Sequence, residues 1–369
     1  MTSQMLQAVG LRSRGVAFQA LPPLSLYIHI PWCVRKCPYC DFNSHEARGA
    51  FPEKEYVAAL VRDLEMALPQ IWGRKVYTVF FGGGTPSLLS GEAIGEILRN
   101  VRMLLPLDMN AEITLEANPG TVEADKFAAF RDAGVNRLSM GIQSFNDKHL
   151  QALGRIHSAD EARRAIQIAQ QHFDNINLDL MYALPTQTLD EALLDVQIAM
   201  QYTPQHLSCY HLTLEPNTQF HHNPPVLPDE DASAEMQQSI ETLLAVHGYE
   251  HYETSAFARP KRRAKHNLNY WQFGDYLGIG AGAHSKLSFP DKVLRQARYK
   301  QPQAYMQQVA AGLPIQSEIE VSVDALPFEF MMNALRLNDG FDSNLFAERT
   351  SLSLLSIQNE LQEAERRGL

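Results

Sequence analysis

Three of the chain's four cysteines fall within eight residues, in the stretch YIHIPWCVRKCPYCDFNSH: Cys33, Cys37 and Cys40. A tight group of thiols in a chain otherwise sparing with cysteine points to metal or redox chemistry. A structural zinc ion takes four ligands, commonly in paired spacings. His29 or His45 could complete such a set, but the chain has no second Cys-x2-Cys. A group of unliganded thiols is another reading. A cubane iron–sulfur cluster takes one thiolate per iron corner, so three thiolates on one compact loop leave one iron open to a small chelating ligand. The fourth cysteine, Cys209, lies in HLSCYHLTL, far from the loop in sequence, and reads as a small buried hydrophobe.

Other residues able to do chemistry are scattered. FGGGTPS (Phe81–Ser87) lacks the Gly-Lys-Ser/Thr of a phosphate loop. It is either a tight strand-to-helix turn or a place where backbone at Gly83, Gly84 and Thr85 meets a ligand, since glycine has no Cβ. Glu116, Gln143, Arg155 and Asp179 fall at or near strand ends. Singly, each reads as a surface residue or a satisfied core hydrogen bond. The planar fork of Arg155 suits a carboxylate, and Glu116 and Asp179 suit amine or hydroxyl donors. KHNLNYWQF (Lys265–Phe273) is the second unusual stretch. Its aromatics could simply plug a seam, with His266 an ordinary surface or cap residue.

These residues need a frame. Six strand-like segments recur: Ser25–Pro31, Val76–Gly84, Glu112–Gly120, Val135–Ser144, Asn175–Pro185 and His206–Pro216. Stretches with helical spacing, such as EKEYVAALVRDLEMAL and SADEARRAIQIAQQHF, lie between them. This alternation predicts an α/β fold with a parallel sheet, as an open doubly wound sheet or a barrel. Both folds place their sites at the C-terminal strand ends, where the polar and glycine residues collect. The expected divisions are a lead-in over 1–23, the β/α unit over 24–250, a connecting segment over 251–300 and a mostly helical domain over 301–369.

The 369 residues are 45% hydrophobic and 20% charged, a globular composition. A net charge of -10 argues against a nucleic-acid surface. No apolar run reaches the roughly 18–20 residues of a membrane span. Arg12 and Arg14 interrupt the N-terminal stretch, which does not read as a signal peptide. The sparse cysteines fit a reducing cytoplasm.

Taken together, YIHIPWC-x3-CPYCDFNS, FGGGTPS, LEANPG, SMGIQSFND, LDLMYALPTQT, LTLEPNT, HNLNYW and GIGAGAHS resemble the HemW heme chaperones. That group lies in the radical S-adenosylmethionine superfamily and is related to oxygen-independent coproporphyrinogen III oxidase. The likeness runs from Leu24 through nearly all of the chain. It implies a partial (β/α)6 barrel followed by a smaller, mostly helical C-terminal domain. It implies a [4Fe-4S] cluster on Cys33, Cys37 and Cys40. It carries over Tyr27, Tyr39, Gly83, Gly84, Thr85, Glu116, Gln143, Arg155 and Asp179 as contacts to S-adenosylmethionine. The His-Asn-x-x-Tyr-Trp motif is heme-associated in this family, which makes His266 the expected heme ligand, titrating near the ordinary histidine pKa of about 6.5. The implied partners are heme and heme-accepting apoproteins, membrane respiratory subunits among them, within porphyrin metabolism. The related oxidase has a further cysteine two residues after the third, where this chain has Phe42, and a longer N-terminal arm. Both departures favour the chaperone over a radical oxidase acting on a porphyrinogen. The resembled family continues beyond EAERRGL with a small winged-helix-like finish, so the helical domain is expected to be incomplete.

Overall fold

The computed structural model describes residues 15–47, 49, 51–121 and 124–368. The first fourteen residues of the expected lead-in lie outside the described residues. Six parallel strands stand side by side in chain order: β1 (Leu24–Ile30), β2 (Val76–Gly83), β3 (Leu107–Ala117), β4 (Arg137–Gln143), β5 (Ile176–Tyr182) and β6 (His206–His211). Between and after them run α1 (Glu53–Ala67), α2 (Gly91–Leu104), α3 (Ala124–Ala133), α4 (Ala159–His172), α5 (Leu189–Gln201) and α6 (Glu230–Val246). The starts of α4 and α5 are written in the sequence. Ser158 with Glu161, and Thr188 with Glu191, form reciprocal capping boxes.

Side chains alternate between the two faces of a strand. In β1, Leu24, Leu26, Ile28 and Ile30 enter the main apolar core with residues of α1 and α2. Ser25, Tyr27 and His29 take the other face. The same alternation puts Arg137, Ser139, Gly141 and Gln143 of β4 inward, in register with Thr114 and Glu116 of β3 and Asn177 and Asp179 of β5. The interior of the β/α unit is therefore polar, and the apolar core lies between sheet and helices.

The sheet extends beyond the six parallel strands. Past β6 come the short antiparallel strands β7 (Glu250–Glu253) and β8 (Ala256–Ala258). Helix α7 (Lys265–Trp271) then leads into β9 (Asp275–Ile279), which pairs parallel with β1. The antiparallel strands β10 (His284–Phe289), β11 (Lys292–Arg298) and β12 (Ile315–Glu320) complete the far side. Among the described residues the twelve strands run β12-β11-β10-β9-β1-β2-β3-β4-β5-β6-β8-β7.

The expected connector over 251–300 thus carries strands of the main sheet on both sides of α7. Its period was hidden because β11 buries polar residues: Gln296 and Arg298 are 2% and 1% exposed. Arg298 bonds Asp63 of α1 at 3.2 Å, a partner no local pattern announces. The helical part also begins later than residue 301. Helix α8 (Pro302–Ala310) packs on α1, and β12 joins the sheet. After it, α9 (Leu326–Ala334), α10 (Ser343–Thr350) and α11 (Gln358–Arg366) follow, with a separate core around Phe330, Phe346 and Phe273.

At the start of β9, Asp275 is fully buried. Its carboxylate accepts from Lys286 Nζ at 2.9 Å, Arg74 Nη2 at 2.8 Å, the Ser288 N–H at 2.7 Å and the Ser288 hydroxyl at 2.8 Å. Its backbone carbonyl accepts from Asn269 of α7 at 2.8 Å. This node ties β9 to β10, to the segment before β2 and to α7.

Candidate functional site

The cysteine loop leaves the C-terminal end of β1 and is pinned at several points. Trp32–Cys33 pairs in parallel with His45–Glu46, so the loop returns against its own start. The Asn43 amide donates to the carbonyls of Ala281 and Lys300, each at 2.9 Å. The turn after β2 is stitched to the same loop. Gly84 N–H donates to Ile30 O and Thr85 N–H to Trp32 O, both at 2.7 Å. The FGGGTPS stretch is therefore a turn and a close approach at once. A Cβ on Gly84 would sit 2.5 Å from Trp32 O, and Gly83 adopts φ +114°, where side chains are rarely accommodated.

Cys33, Cys37 and Cys40 line one cavity of about 600 Å³ that runs from the C-terminal ends of the strands into the interior of the β/α unit. Tyr39, Gly83, Gly84, Thr85, Glu116, Gln143, Arg155 and Asp179 line it too. Tyr27 opens into the adjoining cavity, which shares Gly83, Glu116 and Tyr270 with the first. Nine residues from seven separate segments thus line this cavity and the one adjoining it. Cys209 lies in the apolar core between sheet and helices, where burial pushes its thiol up to about 12. His29, a candidate fourth ligand, is held between Tyr27 OH at 3.0 Å and Asn43 O at 2.8 Å.

The thiols fit a multi-iron group better than a single ion. Among the described residues, no three His, Cys, Asp or Glu side chains converge as a single-ion site. A cubane instead spreads its thiolates over separate irons. Burial raises the Cys33 and Cys40 thiols, so both hold their protons until a metal displaces them.

Arg155 is fixed at the same end. It donates to Gly141 O at 2.8 Å, reaches Cys37 Sγ at 3.6 Å and bonds the Asn118 amide oxygen. Its Nε is buried without a partner. Gln143 closes β4 at φ +68°, after an irregularity in the β4–β5 register. Such strain is kept where surroundings over-determine it, often at sites. Glu116 accepts from Gly83 N–H at 3.2 Å. Burial pushes its carboxyl up to about 8, and the charge of Asp179 adds to this. Asp179 accepts from Asn177 at 2.8 Å and Ser139 at 3.2 Å. Its carboxyl is also raised by burial, against those hydrogen bonds.

His266 is not brought to the cavity. Asn267, Tyr270 and Trp271 of the same helix line it, whereas His266 is 2% exposed and stacks on Phe80 at 4.9 Å. Thr78 donates to Ser25, so the His266 Nδ1–H donates to Thr78 Oγ1 at 2.7 Å. This leaves Nε2 to accept from Tyr270 OH at 3.3 Å. Burial pushes His266 down to about 3, so it is neutral throughout the physiological range and does not titrate near 6.5. The reason is its place in the helix: Glu112 takes the Lys265 and His266 N–H groups, which turns the ring inward.

The cavity also holds Arg137, Ser139, Asn177, Ser208 and Tyr210, which sequence reasoning missed. The signal was present: each lies two residues from another inward residue on its strand, as Ser139 does from Gly141 and Ser208 from Tyr210.

The radical SAM superfamily profile matches residues 27–196, and the HemN C-terminal domain profile matches 321–369. The chain is 51% identical over 350 residues to a protein of Escherichia coli (strain K12) named heme chaperone HemW, covering 94% of this chain and 92% of that one. A protein of the same name from Haemophilus influenzae is 49% identical, over 93% of this chain and 90% of its own. Among solved structures, coproporphyrinogen III oxidase (HemN) from Escherichia coli, described as a radical SAM enzyme, matches with a TM-score of 0.78 at 24% identity. That match covers 93% of this chain and 84% of the oxidase, a likeness of fold. No helix among the described residues is long and apolar enough to cross a membrane.

Proposed function

Since the chain belongs to the HemW heme chaperone family of the radical SAM superfamily, we propose that it binds heme and passes it to heme-requiring apoproteins. In this reading Cys33, Cys37 and Cys40 hold a [4Fe-4S] cluster and the strand-end residues hold S-adenosylmethionine. The carrying observation is a single cavity lined both by the three thiols of one loop and by the aromatic residues Tyr270 and Trp271. The cluster, when bound, supplies single-electron chemistry to S-adenosylmethionine. The protein's own residues do the rest. Arg155 orients a carboxylate, Glu116 and Asp179 receive amine and hydroxyl donors, and Tyr39 and the Gly83–Thr85 turn exclude water from the thiols. A reducing, cytoplasmic compartment suits such a site.

The heme reading places the macrocycle against Tyr270 and Trp271, with His266 holding the Tyr270 hydroxyl rather than ligating iron. After anaerobic cluster reconstitution, heme titration followed by the Soret band should saturate at one site. Trp271→Ala should weaken binding about tenfold, by loss of apolar contact, while His172→Ala at the end of α4 leaves it unchanged. Equal affinities in both variants would remove Tyr270–Trp271 as the site. The same preparation tests the second reading, a radical oxidase, which the intact strand-end site keeps alive. Incubated with reductant, S-adenosylmethionine and coproporphyrinogen, it should form no divinyl product, because Phe42 stands at the oxidase's additional cysteine. Sustained product would transfer the function to that enzyme class.

The raised Glu116 carboxyl makes ligand binding pH-dependent. Below about 8 the group is neutral, and the carboxylate that pairs with a cationic amine predominates only above that value. Binding a cation there at neutral pH therefore releases a proton. The affinity for S-adenosylmethionine should rise as Glu116 ionises and turn over as the ligand's amine, ordinarily titrating at about 7.7–8.0, loses its own proton, and calorimetry at pH 7 in buffers of different ionisation enthalpy should report the released proton. Glu116→Gln should flatten the profile; a flat wild-type profile would mean that Glu116 stays neutral in the complex.

A further inference from the structure

Arg137 opens β4 deep inside the β/α unit and lines the cavity, yet it is 2% exposed. Among the described residues its side chain makes no hydrogen bond and no close ion pair, its charge acts on Glu116 and Asp179 only through space, and its Nε is enclosed without a partner. The β3–β4 register sets Thr114 directly beside it, on the same face. The Thr114 hydroxyl is fully buried and also lacks a partner, as does the indole N–H of Trp271, which lines the same cavity. Guanidinium and indole nitrogens can only donate. The cavity's carboxylates meet this demand only in part: Arg137 acts on Glu116 and Asp179 through space, but burial raises both carboxyls toward the neutral form, and they take their hydrogen bonds from Gly83 and from Asn177 and Ser139 instead. A buried cation left unpaired is costly, so such a group implies an acceptor that arrives from outside.

That acceptor is not the carboxylate of S-adenosylmethionine if Arg155 orients it. Arg155 is anchored at Gly141, four residues further along β4, which at about 3.3 Å per residue is roughly 13 Å away. S-Adenosylmethionine has one carboxylate, and the cavity has two arginines at different depths. The second lies in the cavity that Tyr270 and Trp271 flank, where a flat apolar ring with carboxylate arms matches both features.

We propose that Arg137, with Thr114 and the Trp271 N–H, is the receptor for a propionate carboxylate of the bound tetrapyrrole. This rests on the heme reading above and adds how the macrocycle is oriented: one acid edge points down the strands toward the start of β4. The test compares heme with its dimethyl ester, in which both carboxylates are neutralised and the ring is kept. Wild-type protein should bind heme at least tenfold more tightly than the ester. In Arg137→Gln that preference should vanish, with cluster content measured in parallel as the check on folding. Equal affinity for acid and ester in the wild type overturns the proposal without any variant, and so does a preference that survives in Arg137→Gln. Added acetate should not compete at millimolar concentration; competition would assign Arg137 to small free carboxylates instead. Failure of wild-type protein to bind either ring overturns the heme reading itself, a distinct result.

Discussion

Replacing Cys33, Cys37 or Cys40 by Ala should abolish the reconstituted iron–sulfur chromophore, while Cys209→Ala should leave it intact. The three thiols share one loop and one cavity, and Cys209 is walled into the apolar core on the other side of the sheet. A cubane bound through three corners has no spare thiolate, so each loss is total rather than graded. Iron and sulfide content with visible absorption reads the outcome. The sign of the pH effect is fixed as well. Burial raises the Cys33 and Cys40 thiols, and ligation requires thiolates, so reconstitution should improve as pH rises above neutral. Stoichiometric zinc without iron, or a cluster that survives any one of the three changes, would sink this assignment.

Asp275→Asn should destabilise the fold by about 3–5 kcal/mol, the cost of breaking a buried pair and stranding its partners. Lys286 is 1% exposed and loses its counter-charge, and Arg74 loses its own. Set against a typical total stability of about 5–15 kcal/mol, this is a large share. Burial alone would raise the Asp275 carboxyl, but Lys286, Arg74 and the Ser288 N–H together outweigh it and hold the group below its usual value. A depressed folded pKa contributes stability that is fully present above the unfolded value of about 3.9 and is lost as pH falls through the folded value. The wild type should therefore shed this contribution only in strong acid, and the variant should lack it at every pH. Urea denaturation at pH 7 measures the difference. A change below about 1 kcal/mol would show that the two cations find other partners.

The parallel strands were legible because they are buried on their outer face and punctuated by glycine and proline. The site followed from them, since strand ends converge wherever the fold closes. The later strands were not legible. Strand β12 reads IQSEIE and is mostly exposed, with no apolar alternation to follow. Strand β11 satisfies its inward polar groups through residues of α1 far away in sequence. His266 shows the limit of motif reading. Its type and neighbours suggested a ligand, but the hydrogen bonds of Thr78, Tyr270 and Glu112 decide where the ring points, and Thr78 and Glu112 lie far away in the chain. Arg137 escaped notice because it sits at the entry of a strand, the end opposite to where sites were sought.

The place of β1 in the sheet has a temporal meaning. Leu24 pairs on one side with Val76 and on the other with Asp275. During synthesis, at about 5–20 residues per second, the first neighbour emerges within seconds and the second only after tens of seconds. Until then one edge of β1 offers unpaired backbone groups to any other chain, a known route to aggregation. The cysteine loop follows β1 directly, yet two of its anchors, the carbonyls of Ala281 and Lys300, are made last. The thiols are thus born early into an unfinished pocket, and the loop gains its final seat only when the far side of the sheet arrives.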